Sequence, residues 1–122
     1  MYNNSRRAPE HIYSVSLAAG IAAREFTFQS PNFACRISHF DSAVDTTSGT
    51  DFPSWSVRIG STIKITQAGV VTADTVTRTI AMDAGQDDIV PANSRIQLVL
   101  VTAGTAANAL GLAARLSLIG TN

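Results

Sequence analysis

Few residues in this sequence are of the types that carry nucleophilic or metal chemistry. The histidines are His11 and His39, and the single cysteine is Cys35. No cysteine or carboxylate stands near either histidine at a metal-ligand spacing, and no phosphate-cradling glycine pattern or nucleophile elbow occurs. We therefore expect a protein that is not an enzyme and needs no cofactor. We expect His39 to be a structural residue on a strand and Cys35 to be a small buried hydrophobic residue.

Six aspartates in two polar segments are the candidate calcium ligands. Ca²⁺ binds six to eight oxygens, and two acidic loops that meet at one end of a fold could supply them. The spacing departs from the EF-hand loop, whose ligands alternate and end in a glutamate. The alternative, which we favour, is that these aspartates form turns by bonding to their own backbone. They are Asp41, Asp45 and Asp51 in one segment and Asp83, Asp87 and Asp88 in the other.

The lone tryptophan, Trp55, is the candidate sugar-binding residue. It follows Phe52 and the polar segment 41–53, and an exposed indole beside polar groups could stack on a carbohydrate. The alternative is that Trp55 belongs to the core, because tryptophan is highly buried on average. Sugar hydrolysis is not expected. It requires two carboxylates facing each other across a cleft, and the only glutamates, Glu10 and Glu25, both lie near the N-terminus.

The charge content excludes some partners. Nine basic and nine acidic residues give a formal net charge of zero, and only 15% of the residues are charged. Nucleic-acid binding needs a basic surface, so we expect no nucleic-acid partner. A neutral surface favours packing against other protein chains, since net charge keeps free monomers apart. No run of about 18 apolar residues and no signal-peptide core occurs, so we expect no membrane partner and synthesis in the cytoplasm.

Alternation of apolar and polar residues with period two positions all these candidates on strands or in the loops between them. It predicts one all-β domain with seven or eight strands and less than about a tenth of its residues in helix. Residues 106–115 also have good helix propensity, but the alternation from Leu110 to Leu118 favours a strand. The predicted strand segments are 12–17, 24–29, 33–40, 55–59, 63–65, 70–71 with 76–82, 95–102 and 110–118.

The loops and the most apolar strand indicate the architecture. Long polar segments over 41–53 and 83–91 suit an antiparallel β-sandwich of jelly-roll or Greek-key type better than a simple meander. Strand 95–102 has apolar residues on both faces, with Val99 and Val101 opposite the main apolar set. Such a strand should lie centrally or be covered by a neighbouring subunit, so we expect a homo-oligomer, with a trimer as first choice.

The N-terminal segment lacks an apolar face. Residues 1–11 are therefore predicted to be an arm, and residues 12–122 a single sandwich domain. Arm residues of types that interfaces enrich are Tyr2, Arg6 and Arg7. Together with His11 and Trp55, they are the predicted partner-binding residues.

The sequence from Ile89 to Leu118, IVPANSRIQLVLVTAGTAANALGLAARLSL, resembles the closing hairpin of small jelly-roll virion proteins of tailed bacteriophages. These include capsid decoration, or cement, proteins. The resemblance covers the last quarter of the chain and is one of pattern. It implies a structural virion protein that forms trimers on the capsid exterior, binds the major capsid protein or another virion protein, and stabilises the shell. The alternatives are a carbohydrate-binding or fibre-tip module and an unrelated oligomeric β domain.

Overall fold

The computed structural model describes residues 10–17, 23–46, 53–68, 76–102 and 110–120, which form nine β-strands and no helix. The all-β prediction is confirmed over these residues. The closing segment is a strand from Leu110 onward, as the alternation predicts, while residues 106–109 lie outside the described ranges. The strands are β1 (Glu10–Leu17), β2 (Arg24–Gln29), β3 (Cys35–Thr46), β4 (Ser54–Ile59), β5 (Thr62–Gln67), β6 (Val76–Thr79), β7 (Ile89–Val90), β8 (Arg95–Thr102) and β9 (Leu110–Gly120).

Nested strand pairs organise the two sheets as a jelly roll. Sheet A has the order β1-β9-β3-β6, with the short β7 also beside β3, and sheet B has the order β2-β8-β4-β5. The antiparallel pairs β1–β9, β2–β8, β3–β6 and β4–β5 are those of one long hairpin whose turn joins β4 to β5. Folding this hairpin over itself brings β9 beside β3 and β8 beside β4. The expected jelly-roll or Greek-key sandwich is therefore a jelly roll.

The core lies between the two sheets and is built from the inward residues of nearly every strand. Each fully buried aliphatic or aromatic side chain contributes about 1.5–3 kcal/mol relative to exposure. Strand β8 lies in the interior of sheet B, as its two apolar faces predict. The buried core residues are Cys35, Ile37, Phe40, Val44, Val90, Leu112, Ala114, Leu116 and Leu118 from sheet A, and Trp55, Val57, Ile59, Ile65, Ile96, Leu98 and Leu100 from sheet B.

Strand β3 differs most from the prediction. It was expected to end at Phe40, with a loop over 41–53, but it continues to Thr46 and carries Asp41 and Asp45. A β-bulge between Ile37 and His39 shifts the register with β9. This bulge turns Phe40 into the core and leaves His39 on the outer side, so the alternation resumes one residue out of step. The sequence suggested a loop from residue 41 because the segment 41–53 is polar, contains a glycine and ends in a proline.

Three further boundaries differ from those predicted. Strand β6 ends at Thr79 instead of at residue 82, and the predicted strand residues 70–71 lie outside the described ranges. The expected loop over 83–91 contains the short strand β7. A register shift between Val57 and Arg58 places Ile63 opposite Arg58, and Ile63 is exposed instead of sharing the buried face with Ile65. Strand β1 begins at Glu10, two residues inside the predicted arm. Residues 1–9 lie outside the described ranges, so the division into arm and domain stays a prediction.

A buried glutamine joins the two sheets where the edge strands β5 and β6 meet. Gln67, at the end of β5 in sheet B, accepts a hydrogen bond from the Ser42 hydroxyl of sheet A. Its amide donates to the Thr77 carbonyl at 3.1 Å and to Thr79 Oγ1 at 3.0 Å. Both Gln67 and Ser42 are buried. Because buried polar groups cost free energy unless they are bonded, this network favours one alignment of the two sheets.

Replacing Gln67 with leucine is expected to destabilise the fold by about 2 kcal/mol, because the Ser42 hydroxyl and the Thr77 carbonyl lose their buried partner. Urea unfolding followed by tryptophan fluorescence measures this. The matched control is Gln29→Leu on the exposed side of β2, which should change stability by less than about 0.5 kcal/mol. Equal stability of the two variants would contradict a stabilising role for the bridge.

Candidate interaction surface

The outer face of sheet A places side chains from four neighbouring strands in rows. In one row, strand pairing puts Ser14 of β1 opposite Arg115 of β9, Arg115 opposite Asp41 of β3, and Asp41 opposite Arg78 of β6. Directly opposite residues in antiparallel strands have their side chains within contact distance on one face. The register therefore places one carboxylate between two guanidinium groups.

Asp41 is held by both arginines. Arg78 donates from Nε to Oδ1 at 2.8 Å and from Nη2 to Oδ2 at 3.0 Å, while Arg115 donates from Nη2 to Oδ2 at 3.2 Å. Asp41 is only 3% exposed, whereas the two arginine side chains are about half exposed. The hydrogen bond from Arg78 lowers the pKa of the Asp41 carboxyl despite the opposing effect of burial, and Asp41 in turn raises the pKa of Arg78.

An open groove of about 480 Å³ adjoins this cluster. The next row of the sheet consists of Ser16, Ala113, Ala43 and Val76, in register across the same four strands. Three of these four side chains are very small, so the surface is lower here than at the arginines. The groove is lined by these residues together with Ser14, Asp41 and Arg115.

The remaining aspartates that the structure describes are engaged separately. Asp83 accepts hydrogen bonds from the backbone N–H and hydroxyl of Thr66 at 2.9 and 2.7 Å. Asp87 pairs with Lys64 at 2.9 Å, and this contact is the main reason that its pKa is lowered. Asp88 pairs with Arg36 at 2.8 Å. Within the described ranges, the acidic groups do not form a cluster of three or more metal-ligating side chains.

The described aspartates of the two predicted calcium-binding segments therefore do not come together as one set of ligands. Asp41 belongs to a central strand and pairs with arginine, which corrects its assignment to a loop. Asp51 and the side chain of Asp45 lie outside the part of the chain that the structure describes. In the second loop, Asp87 accepts from the Ile89 N–H at 3.0 Å, as a turn-forming residue does. Asp83 and Asp88 bond instead to the distant Thr66 and Arg36.

Trp55 requires a correction as a partner-binding residue. Its side chain lies in the core at 1% exposure, with its ring 6.1 Å from Phe40 and 6.5 Å from Phe26 between centroids. The indole is on the inward side of β4, where the alternating side chains of Trp55, Val57 and Ile59 point toward sheet A. It cannot stack on a sugar, so the carbohydrate alternative loses the observation that suggested it.

The other predicted contact residues fall in two groups. His11 is half-buried at the start of β1, where its ring lies 5.3 Å from that of Phe33. Tyr2, Arg6 and Arg7 lie outside the described residues, and their role stays a prediction. His39 is a half-buried strand residue with its Nδ1 2.9 Å from Ser38 Oγ, as a structural role predicts.

Cys35 is fully buried, and burial raises the pKa of its thiol. The expectation of a small core hydrophobe is confirmed for this residue. A thiol with a raised pKa is a poor nucleophile at neutral pH, because the thiolate is the reactive form.

Apolar side chains are exposed on the outer faces of both sheets. On sheet B, Val101 of the central strand β8 is 53% exposed and Val99 is half-buried. On sheet A, the exposed residues include Ile12 of β1, Ile119 of β9, Val76 of β6 and Ile89 of β7. A contiguous exposed apolar patch marks an interaction surface, whereas apolar residues scattered singly are normal on a monomer. No helix that could cross a membrane occurs in the described ranges.

Comparison with known proteins agrees with this architecture. No protein-family model and no curated protein matches the sequence. Among solved structures, the chain is similar to one in the cyanophage Pam1 capsid asymmetric unit, with a TM-score of 0.61 and 14% sequence identity. The match covers 99% of this chain and 91% of that one. The fold is therefore like that of a chain in a phage capsid. At such low identity the likeness concerns the fold alone.

Sequence reasoning missed the two arginines of the Asp41 cluster. Arg115 interrupts an apolar alternating strand, a signal that it points outward between inward Ala114 and Leu116. Its partner could not be read from the sequence, because Asp41 and Arg115 are 74 residues apart and meet only through the β3–β9 register.

Asp41→Asn should destabilise the fold at pH 7 by about 1–3 kcal/mol, since hydrogen bonds to a charged group are lost beside two arginines. Because the folded-state pKa of Asp41 is lowered, its stabilisation is complete above the unfolded value of about 3.9 and declines as pH falls below it. The wild type should therefore lose more stability than Asp41→Asn between about pH 5 and pH 3. Urea melts across this range test the difference, with the exposed ion-pair variant Asp88→Asn as control. Parallel pH profiles for wild type and Asp41→Asn would contradict the prediction.

Proposed function

We propose that this chain is a structural, non-enzymatic protein of a phage virion, and more specifically a capsid decoration protein on the capsid exterior. The observation that carries the proposal is the end-to-end similarity of its jelly roll to a chain of a phage capsid asymmetric unit. The resemblance of residues 89–118 to small phage jelly-roll proteins supports the same role. Folds host many functions, so the proposal also rests on the surfaces of this chain.

The proposed role requires surfaces that bind protein, and both sheet faces have suitable features. Exposed valine and isoleucine side chains would be covered on assembly, which stabilises the assembly by about 25 cal/mol per Å² of apolar surface removed from water. The formal net charge of zero leaves little long-range repulsion between copies. The partners of the proposed protein are thus further copies of itself, as a trimer, and the major capsid protein or another virion protein.

The oligomer is expected to use the outer face of sheet B around Val101. At micromolar concentration, light scattering should give a mass of about 38 kDa, three times the 12.8 kDa chain. Val101→Asp should dissociate it while leaving the melting profile of the monomer two-state, because an exposed side chain is changed. The control Ile12→Asp, at an equally exposed aliphatic residue on the outer face of sheet A, should stay oligomeric. A wild-type mass of 12.8 kDa would contradict the oligomer.

Shell stabilisation is tested with particles that lack this protein. Capsids from a phage deleted for the gene should release DNA at a lower temperature than wild-type capsids, and added purified protein should restore the wild-type value. Protein lacking residues 1–9 should fold, since β1 begins at Glu10, but should restore less if the arm attaches the domain to its partner. Identical DNA release with and without the gene would count against decoration. Full restoration by the truncated protein would count against the arm.

A further inference from the structure

The cations of this chain are not distributed evenly among its carboxylates. Three of the described ion pairs involve one cation and one carboxylate each, but Asp41 is shared by two arginines and its Oδ2 also lies 3.7 Å from His39 Nε2. The cluster therefore carries one excess positive charge in a chain whose formal net charge is zero. The one-to-one pairs are Arg36–Asp88 at 2.8 Å, Lys64–Asp87 at 2.9 Å and Arg58–Glu25 at 3.8 Å.

Asp41 and Arg115 of this cluster line the groove on sheet A, and Arg78 lies on the other side of Asp41, on β6. Asp41 lies beneath the surface, whereas Arg78 and Arg115 are half exposed above it. Arg78 uses Nε and Nη2 on Asp41, and Arg115 uses only Nη2. Nη1 of Arg78, and Nε and Nη1 of Arg115, have no acceptor among the described residues. As far as the described ranges show, they can donate to an anion from outside.

We propose that this groove binds the carboxylate of an extended, acidic segment of a partner protein chain. The inference concerns this surface alone and does not depend on the particle in which the chain assembles. Guanidinium groups match a carboxylate in geometry as well as charge. Asp41 holds both guanidinium groups in place before the partner binds, so less conformational entropy is lost on binding.

The groove fits a peptide better than a free ion or a nucleic acid. Its volume of about 480 Å³ is far larger than one carboxylate requires. The small side chains of Ala43 and Ala113 let a backbone approach closely, and the exposed Ser14 and Ser16 offer hydrogen bonds along β1. One excess positive charge is too little for a polyanion, whose binding depends on many phosphate contacts.

Peptide titrations followed by amide NMR test this proposal on the full chain. The probe is the blocked peptide acetyl-Ala-Ser-Glu-Ser-Ala-amide, compared with the same peptide containing glutamine and with sodium acetate. The glutamate peptide should shift the amides of Ala43, Ala113 and Arg115 in a saturable way, and bind about tenfold or more tightly than the glutamine peptide or acetate. Equal responses to the two peptides, or to acetate and the glutamate peptide, would overturn the proposal.

Two variants test separately how the excess positive charge and the shape of the groove contribute to peptide binding. Arg115→Gln removes the excess charge but leaves the two hydrogen bonds of Arg78 to Asp41, and it should weaken binding about tenfold. Ala113→Leu keeps the charges but fills the groove from an outward position, and it should also weaken binding. Arg36→Gln, on the same sheet but outside the groove, is the matched control and should bind like wild type. Melting curves establish that each variant is folded, and unchanged binding by folded Arg115→Gln and Ala113→Leu would refute the site.

Discussion

The antiparallel pairing of β3 with β9 is the interaction on which the rest of the sandwich depends. It joins the first third of the chain to its last strand, and β9 also pairs with β1 on its other side. Without this pairing, the described strands of sheet A would be divided into the pair β1–β9 and the group of β3 with β6 and β7. Bringing together strands so far apart in sequence costs loop-closure entropy, so the contacts between β3 and β9 must be favourable enough to offset that cost.

Asp41 helps to specify that pairing. A one-residue slip of β3 against β9 would exchange the inner and outer faces and move Phe40 out of the core. A two-residue slip would keep the faces but move Asp41 away from Arg115. The buried carboxylate would then lose one of the arginine partners that compensate its desolvation. The same triad that we propose as a binding site therefore also fixes the register, and its rigidity follows from the strands that hold it.

The sequence predicted the fold class, most strand positions and the interior position of β8, because these follow from the period of the apolar residues. Strands β2 and β8 have the predicted bounds for this reason. It failed over the second half of β3, because the polar residues from Asp41 onward looked like those of a loop. It could not find the Asp41 cluster, since cross-strand partners depend on register. Trp55 was open to two interpretations, and only its position on the inward side of β4 decides for the core.

A jelly roll can be shared by chains of low sequence identity, such as this one and the phage capsid chain. A jelly-roll core needs hydrophobic residues of suitable size at inward positions, and many sequences satisfy that requirement. The inward leucines and isoleucines therefore specify the sandwich but not its partner. Recognition must depend on outward residues, where the two sheets differ: sheet B presents exposed Val101, and sheet A presents a groove beside an excess positive charge. Both faces have exposed aliphatic residues, but the excess positive charge beside the groove lies on sheet A, so we propose sheet B for contacts with further copies of the chain and sheet A for an acidic partner.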